Sequence, residues 1–94
     1  MKNRIKLKIE LKKNFKLLTR REKLYIYDLI CDFHGEQCMI CGKERVNRRL
    51  HIDHCHKTNK IRGLLCHWCN RGLVWFKDNP ELLRNAANYL EEVK

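Results

Sequence analysis

Between Arg4 and Lys12 the chain reads RIKLKIELK, with polar and apolar residues alternating one for one. Strict alternation puts every apolar side chain on one face of an extended segment, so it predicts a β-strand whose apolar face is covered by the domain or by another chain. The period then changes. Leu24, Tyr27, Ile30 with Cys31, and His34 recur at helical spacing, which predicts a helix over about 20–34. Thr19 and Glu22 form a capping-box pair at its start, and Gly35 can end it. His34, in the last turn, suits a C-terminal capping role better than a metal role. KERVNRRL (43–50) is a polar loop that enters a short strand at about 49–53. Turn formers fill 54–60, with Asn59 suited to a positive φ. IRGLLC is the returning strand, and Gly63 permits close backbone approach. A helix starts near Cys69 and runs to about Lys77. In the last segment Asp78 or Asn79 caps a helix and Pro80 takes its first turn. Leu82, Leu83, Ala86, Tyr89, Leu90 and Val93 supply its buried stripe.

The cysteines change this picture from a list of elements to a stapled domain. A chain of 94 residues is expected to be one domain, hiding roughly 60–65% of its unfolded surface, and such a core often needs a staple. Cys38-Met-Ile-Cys41, followed by Gly42, and Cys66-His-Trp-Cys69 are two C-x-x-C pairs. Each offers two thiolates from one tight turn, the pattern of a tetrahedral zinc site. A disulfide framework would need an oxidising compartment, and no secretory signal or membrane span is visible, so a cytoplasmic location is expected. Zinc would supply the stability that the small core lacks. Cys31, in the helical pattern, is expected to be a core thiol, and Cys55 a spacer between histidines. His67, inside the second pair, is read as a non-ligand.

Charge adds a partner. The formal net charge is +10, and Met1 to Leu24 hold ten Lys/Arg against two Glu. A basic arm on a nearly neutral remainder points to a polyanion, most commonly nucleic acid. The expected organisation is a basic arm with a strand over 1–18 and a zinc-stapled domain over 19–94. The N-terminal strand or the helices offer a surface for a homodimer.

The densest chemistry lies in HIDHCHKTNKIRGLLCHWCN, His51 to Asn70. Zinc at the four cysteines would draw Asn70, directly after Cys69, toward Asp53 at the end of the first hairpin strand. A carboxylate and an amide oxygen suit Mg²⁺ or Mn²⁺, which keep waters and bind substrate phosphate. A neutral imidazole at His54 could take a proton from water, and a divalent cation would stabilise charge on phosphate and leaving oxygen. Alone, an Asp-His pair more often caps a turn. Its place between two C-x-x-C pairs, with Asn after the last Cys, favours catalysis. His51 has a structural hydrogen bond as an equal reading, and Arg62 and Arg71 are candidate phosphate contacts with surface charge as the alternative. Trp68, Trp75 and Phe76 are expected in the core rather than as base-stacking groups.

CMICG followed by LHIDHCHKTNKIRGLLCHWCN resembles the phage recombination endonuclease VII family, a branch of the HNH or ββα-metal (His-Me finger) nucleases. The resemblance covers about 20–94. It implies a small α+β fold, a ββα-metal core with a four-cysteine structural zinc knuckle at Cys38, Cys41, Cys66 and Cys69 and flanking helices. It also implies Asp53 and Asn70 as ligands of a catalytic Mg²⁺ or Mn²⁺ and His54 as general base. His51 and His56 match family histidines that would position the phosphate or the base. The family's hairpin T-G-K is Thr58-Asn59-Lys60 here. The implied activity is metal-dependent cleavage or nicking of DNA. The competing class is a non-catalytic zinc module that binds nucleic acid.

Overall fold

The computed structural model describes residues 4–92. Among them the element order is α1 (Arg4–Leu11), a 3-10 turn (Phe15–Leu17), α2 (Arg20–His34), β1 (His51–His54), β2 (Ile61–Leu65), α3 (His67–Trp75) and α4 (Pro80–Glu92). The result is a small α+β chain with four α-helices and one antiparallel two-stranded sheet.

The first element overturns its expectation: residues 4–11 are a helix, not a strand. Alternation at 5, 7, 9 and 11 contains an i, i+4 pair. Leu7 is buried and Leu11 half-buried against the core, whereas Ile5 and Ile9 face outward at 73% and 57% exposure. Leu, Lys and Glu are all good helix formers, and α2 offers a surface on which one helical stripe of α1 packs. The strand-mediated dimer falls with this strand. Within the segment expected as an arm, Leu7 belongs to the core cluster and Leu11, Phe15 and Leu18 pack against it.

α2 keeps its expected bounds. Thr19 Oγ1 accepts from the Glu22 N–H at 3.1 Å and Glu22 Oε1 accepts from the Thr19 N–H at 3.0 Å, a reciprocal capping box. Gly35, at φ 78°, closes the other end. Ile26, Tyr27 and Ile30 are its buried face, and Leu24, expected inside, is 43% exposed. The core joins these to Leu7, Leu50, Ile61 and Leu64. Tyr27 completes it with polar bonds: its hydroxyl donates to Glu36 Oε2 at 2.6 Å and accepts from the Leu50 N–H at 3.1 Å. Burial, reinforced by Glu36, pushes this phenol up to about 12.

The hairpin turn uses Asn59 at φ 61°, as expected. α3 packs on both strands. α4 starts as expected at Pro80, with Asn79 Oδ1 accepting from the Glu81 and Leu82 N–H groups. Its apolar stripe is not buried: Leu83 and Ala86 are half-covered, and Leu82, Tyr89 and Leu90 are exposed. Val93 lies outside the described residues. Trp68, Trp75 and Phe76 are likewise exposed rather than in the core, the first two at 80% and 75%. No described helix is long and apolar enough to cross a membrane.

Candidate functional site

The sulfurs of Cys38, Cys41, Cys66 and Cys69 all lie within 4.8 Å of one another, and Cys41 and Cys66 are 3.8 Å apart. A tetrahedron with Zn–S bonds of about 2.3 Å has edges of about 3.8 Å, so the cage has the size and donor set of a structural zinc site. Local geometry builds it. Gly42, at φ 77°, donates its N–H to the Cys38 carbonyl at 2.9 Å, turning the first pair. Cys66 caps α3, its sulfur accepting from the Cys69 N–H at 3.4 Å. The Met39 N–H donates to the Leu64 carbonyl at 2.9 Å and ties the first turn to β2. The Met39 sulfur lies so close over Gly63 that a Cβ there would overlap it. Burial pushes the Cys69 thiol up to about 12, and the neighbouring sulfurs add to the rise. At Cys38 burial also opposes ionisation, but backbone N–H groups outweigh it and the thiol falls to about 6. Burial and the crowding of four sulfurs oppose full ionisation of the cage. A divalent cation would overcome that opposition by favouring thiolate at all four.

The hairpin brings the second group of residues together. Asp53 pairs with Gly63 and His54 with Ile61, so Arg62 is an extra residue on β2. In an unbroken ladder Arg62 would point away from the face that carries Asp53. The bulge re-aims it. Its guanidinium donates to both Asp53 oxygens, at 2.7 and 3.0 Å, and to both Asp78 oxygens, at 2.9 Å each. Asp53 is buried at 7% exposure. The donor set is therefore a cation-seeking one, with the positive charge supplied by the chain's own arginine. Hydrogen bonds from Arg62 hold the Asp78 carboxyl below its usual range. Asp78 reaches this position from the turn between α3 and α4, where it and Lys77 both adopt positive φ, 56° and 57°.

His54 follows Asp53 and lies face to face with Phe15, ring centroids 4.3 Å apart and planes 12° from parallel. His56 sits 5.0 Å from it at a tilt. Burial, then the neighbouring His56, lowers the His54 imidazole below its ordinary value of 6.5. A cleft of about 700 Å³ opens beside the group, lined in part by His56, Lys57, Arg62, Lys77 and Asp78. Lys57, Arg62 and Lys77 give this cleft three basic side chains against the one carboxylate of Asp78, a balance that suits a phosphate-bearing ligand.

The other expected residues are placed less closely. Asn70 is in the first turn of α3, half-buried, with its N–H on the Cys66 carbonyl. The partner of Asp53 is Arg62 and not Asn70. His51 is at the opposite end of β1, 5.8 Å from the His67 ring, with its Nε2 buried and unpaired. Arg71 is exposed. Two residues of the cluster carried no sequence signal for it. Asp78 was legible only as a helix cap, and Phe15 only as part of a basic arm.

The family described as recombination endonuclease VII matches residues 9–92. The chain is 43% identical over 68 residues to the Gene 59 protein of Mycobacterium phage D29, covering 70% of this chain and 41% of that protein. It is 44% identical over 68 residues to the Gene 59 protein of Mycobacterium phage L5, covering 68% of this chain and 40% of that one. The chain thus spans about two-fifths of the length of these curated relatives. No solved structure matches it.

Proposed function

This chain belongs to the recombination endonuclease VII family, and from that premise we propose that it is a DNA endonuclease or nickase of the HNH, ββα-metal type. The hairpin β1–β2 and α3 are its working core, and the four-cysteine cage holds a structural zinc. Asp53 and Asn70 would hold a catalytic Mg²⁺ or Mn²⁺, and the ion would supply charge stabilisation at the scissile phosphate and the leaving oxygen. His54, its imidazole held neutral by burial, takes the proton from the attacking water. Arg62, His56 and the exposed Arg71 are the candidate phosphate contacts. His51, near the zinc cage, is kept as a weaker phosphate contact. The relatives are phage proteins, and the host cytoplasm of an infected cell is the proposed place of action.

The observation that supports this reading most is the pairing of a buried carboxylate and a neutral imidazole at a bulge. Asp53 and His54 are consecutive there, and Arg62, bonded to Asp53, also lines the cleft with His56, Lys57 and Lys77. One observation favours a second reading. Asp53 is fully engaged by Arg62, which is what a non-catalytic nucleic-acid-binding module stapled by zinc would also have.

Nicking of supercoiled plasmid in Mg²⁺ or Mn²⁺ separates the two. The nuclease reading expects wild-type cleavage and a loss of about 10²–10⁴-fold in His54→Ala, with zinc content and circular dichroism retained. Salt-sensitive DNA binding without turnover across single-stranded, duplex, nicked and branched DNA would establish the binding module instead.

A further inference from the structure

Phe15 stands far from the hairpin in sequence, yet its ring lies flat on His54 at 4.3 Å. Three contacts hold it there. Its N–H donates to the Asn59 carbonyl at 2.9 Å, and Asn14 bridges Lys60 in antiparallel fashion. The Lys23 ammonium sits 4.5 Å from the centroid of the Phe15 ring. The Asn59 carbonyl that receives Phe15 belongs to the residue whose positive φ turns the hairpin. The same turn that ends β1 at His54 therefore also docks the segment that covers His54. The family match begins at residue 9 and takes this segment in.

An imidazole has a broad, roughly two-fold χ2 preference and is not self-orienting. Enzymes usually fix such a base by a hydrogen bond from a third group. Among the described residues no side-chain hydrogen bond orients His54; its ring contacts are Phe15 and His56. We infer that Phe15 is a positioning residue for His54, fixing the plane of the imidazole by stacking and shielding one of its faces from water. The inference rests on the proposal that His54 is the general base. The phenyl ring takes no part in the chemistry. Stacking limits χ2 to settings that keep the imidazole parallel to the phenyl ring, so that the plane in which its nitrogens lie stays fixed relative to the attacking water.

The test is a nicking series on zinc-loaded full-length protein in Mg²⁺, with Phe15→Leu, Phe15→Tyr, His54→Ala and the Phe15→Leu/His54→Ala double variant. Leucine keeps apolar volume but loses the flat ring. Phe15→Leu should lower kcat about 10–100-fold, as a misplaced catalytic group does, with KM for DNA changed less than about twofold if binding is untouched. Phe15→Tyr should restore kcat. The double variant should be no slower than His54→Ala alone, as expected if Phe15 acts through His54. In NMR spectra the His54 ring protons should leave their ring-current-shifted positions in Phe15→Leu and regain them in Phe15→Tyr. A Phe15→Leu protein that cleaves at the wild-type kcat overturns the inference. So does a loss of rate that Tyr does not restore with His54 resonances unmoved, since that is structural damage alone. If wild-type protein cleaves no DNA in either metal, the nuclease reading itself fails, which is a separate outcome.

Discussion

Replacing Arg62 with alanine tests the electrostatics of the site most directly. Arg62 donates two bonds to Asp53, whose side chain is 8% exposed, while its own side chain is 37% exposed. Breaking a fully buried pair costs about 3–5 kcal/mol, and an exposed pair is worth about 0–1 kcal/mol. This pair lies between, because one partner is buried and the other half in water. Leaving the Asp53 carboxylate without its cation should therefore cost about 2 kcal/mol. For a domain of this size that lowers Tm by about 8–16 °C. If Asp53 also ligates a divalent cation, the cation must displace the guanidinium in the wild type but not in the variant. Mg²⁺ or Mn²⁺ should then stabilise Arg62→Ala more than the wild type, approaching about 2.7 kcal/mol at a hundredfold excess over Kd. The assay is thermal unfolding by circular dichroism on zinc-loaded protein, in chelator-free buffer, with and without added Mg²⁺. A variant that melts with the wild type would refute the clasp. Equal stabilisation of both proteins by Mg²⁺ would refute competition between the cation and Arg62.

Three further outcomes are expected. Stripping the metal with a chelator should abolish the cooperative melt, because structural zinc binding of about 10–16 kcal/mol in small zinc domains matches or exceeds the whole stability of about 5–15 kcal/mol of a typical domain; metal analysis should find one zinc per chain, and a chelated protein that still melts cooperatively contradicts the cage. Tyr27→Phe should cost about 1–3 kcal/mol in urea unfolding, since the Leu50 N–H loses its acceptor in the core; a change indistinguishable from zero would mean that water replaces the hydroxyl. The lowered His54 value sets the sign of the pH dependence: a base with a depressed value stays neutral to lower pH, so the acid limb of nicking should lie below pH 6.5. An acid limb above that value would show that burial does not govern this imidazole.

Features that depend on a few adjacent residues were legible in the chain itself. The capping box at Thr19 and Glu22, the positive φ at Asn59 and Gly42, and the Pro80 start of α4 are local chemistry. Each residue type there satisfies its own backbone or relieves its own strain. The four cysteines were legible for the same reason, because each C-x-x-C spacing makes half of a cage within one turn. The alternating stretch at residues 4–11 failed because two periods fit it. The choice fell to the helical one, which lets Leu7 and Leu11 meet the core. The apolar stripe of α4 was correctly patterned, but pattern cannot tell whether a partner surface exists within the chain, and its outer residues remain exposed. Tertiary structure alone decided the site's detail. A one-residue bulge turns Arg62 onto Asp53, a turn with two left-handed residues carries Asp78 to the same guanidinium, and the Asn59 carbonyl docks Phe15 on His54. These contacts join positions nine or more residues apart, and no short-range preference encodes such distances. Only the shared core, closing all the elements at once, brings them together.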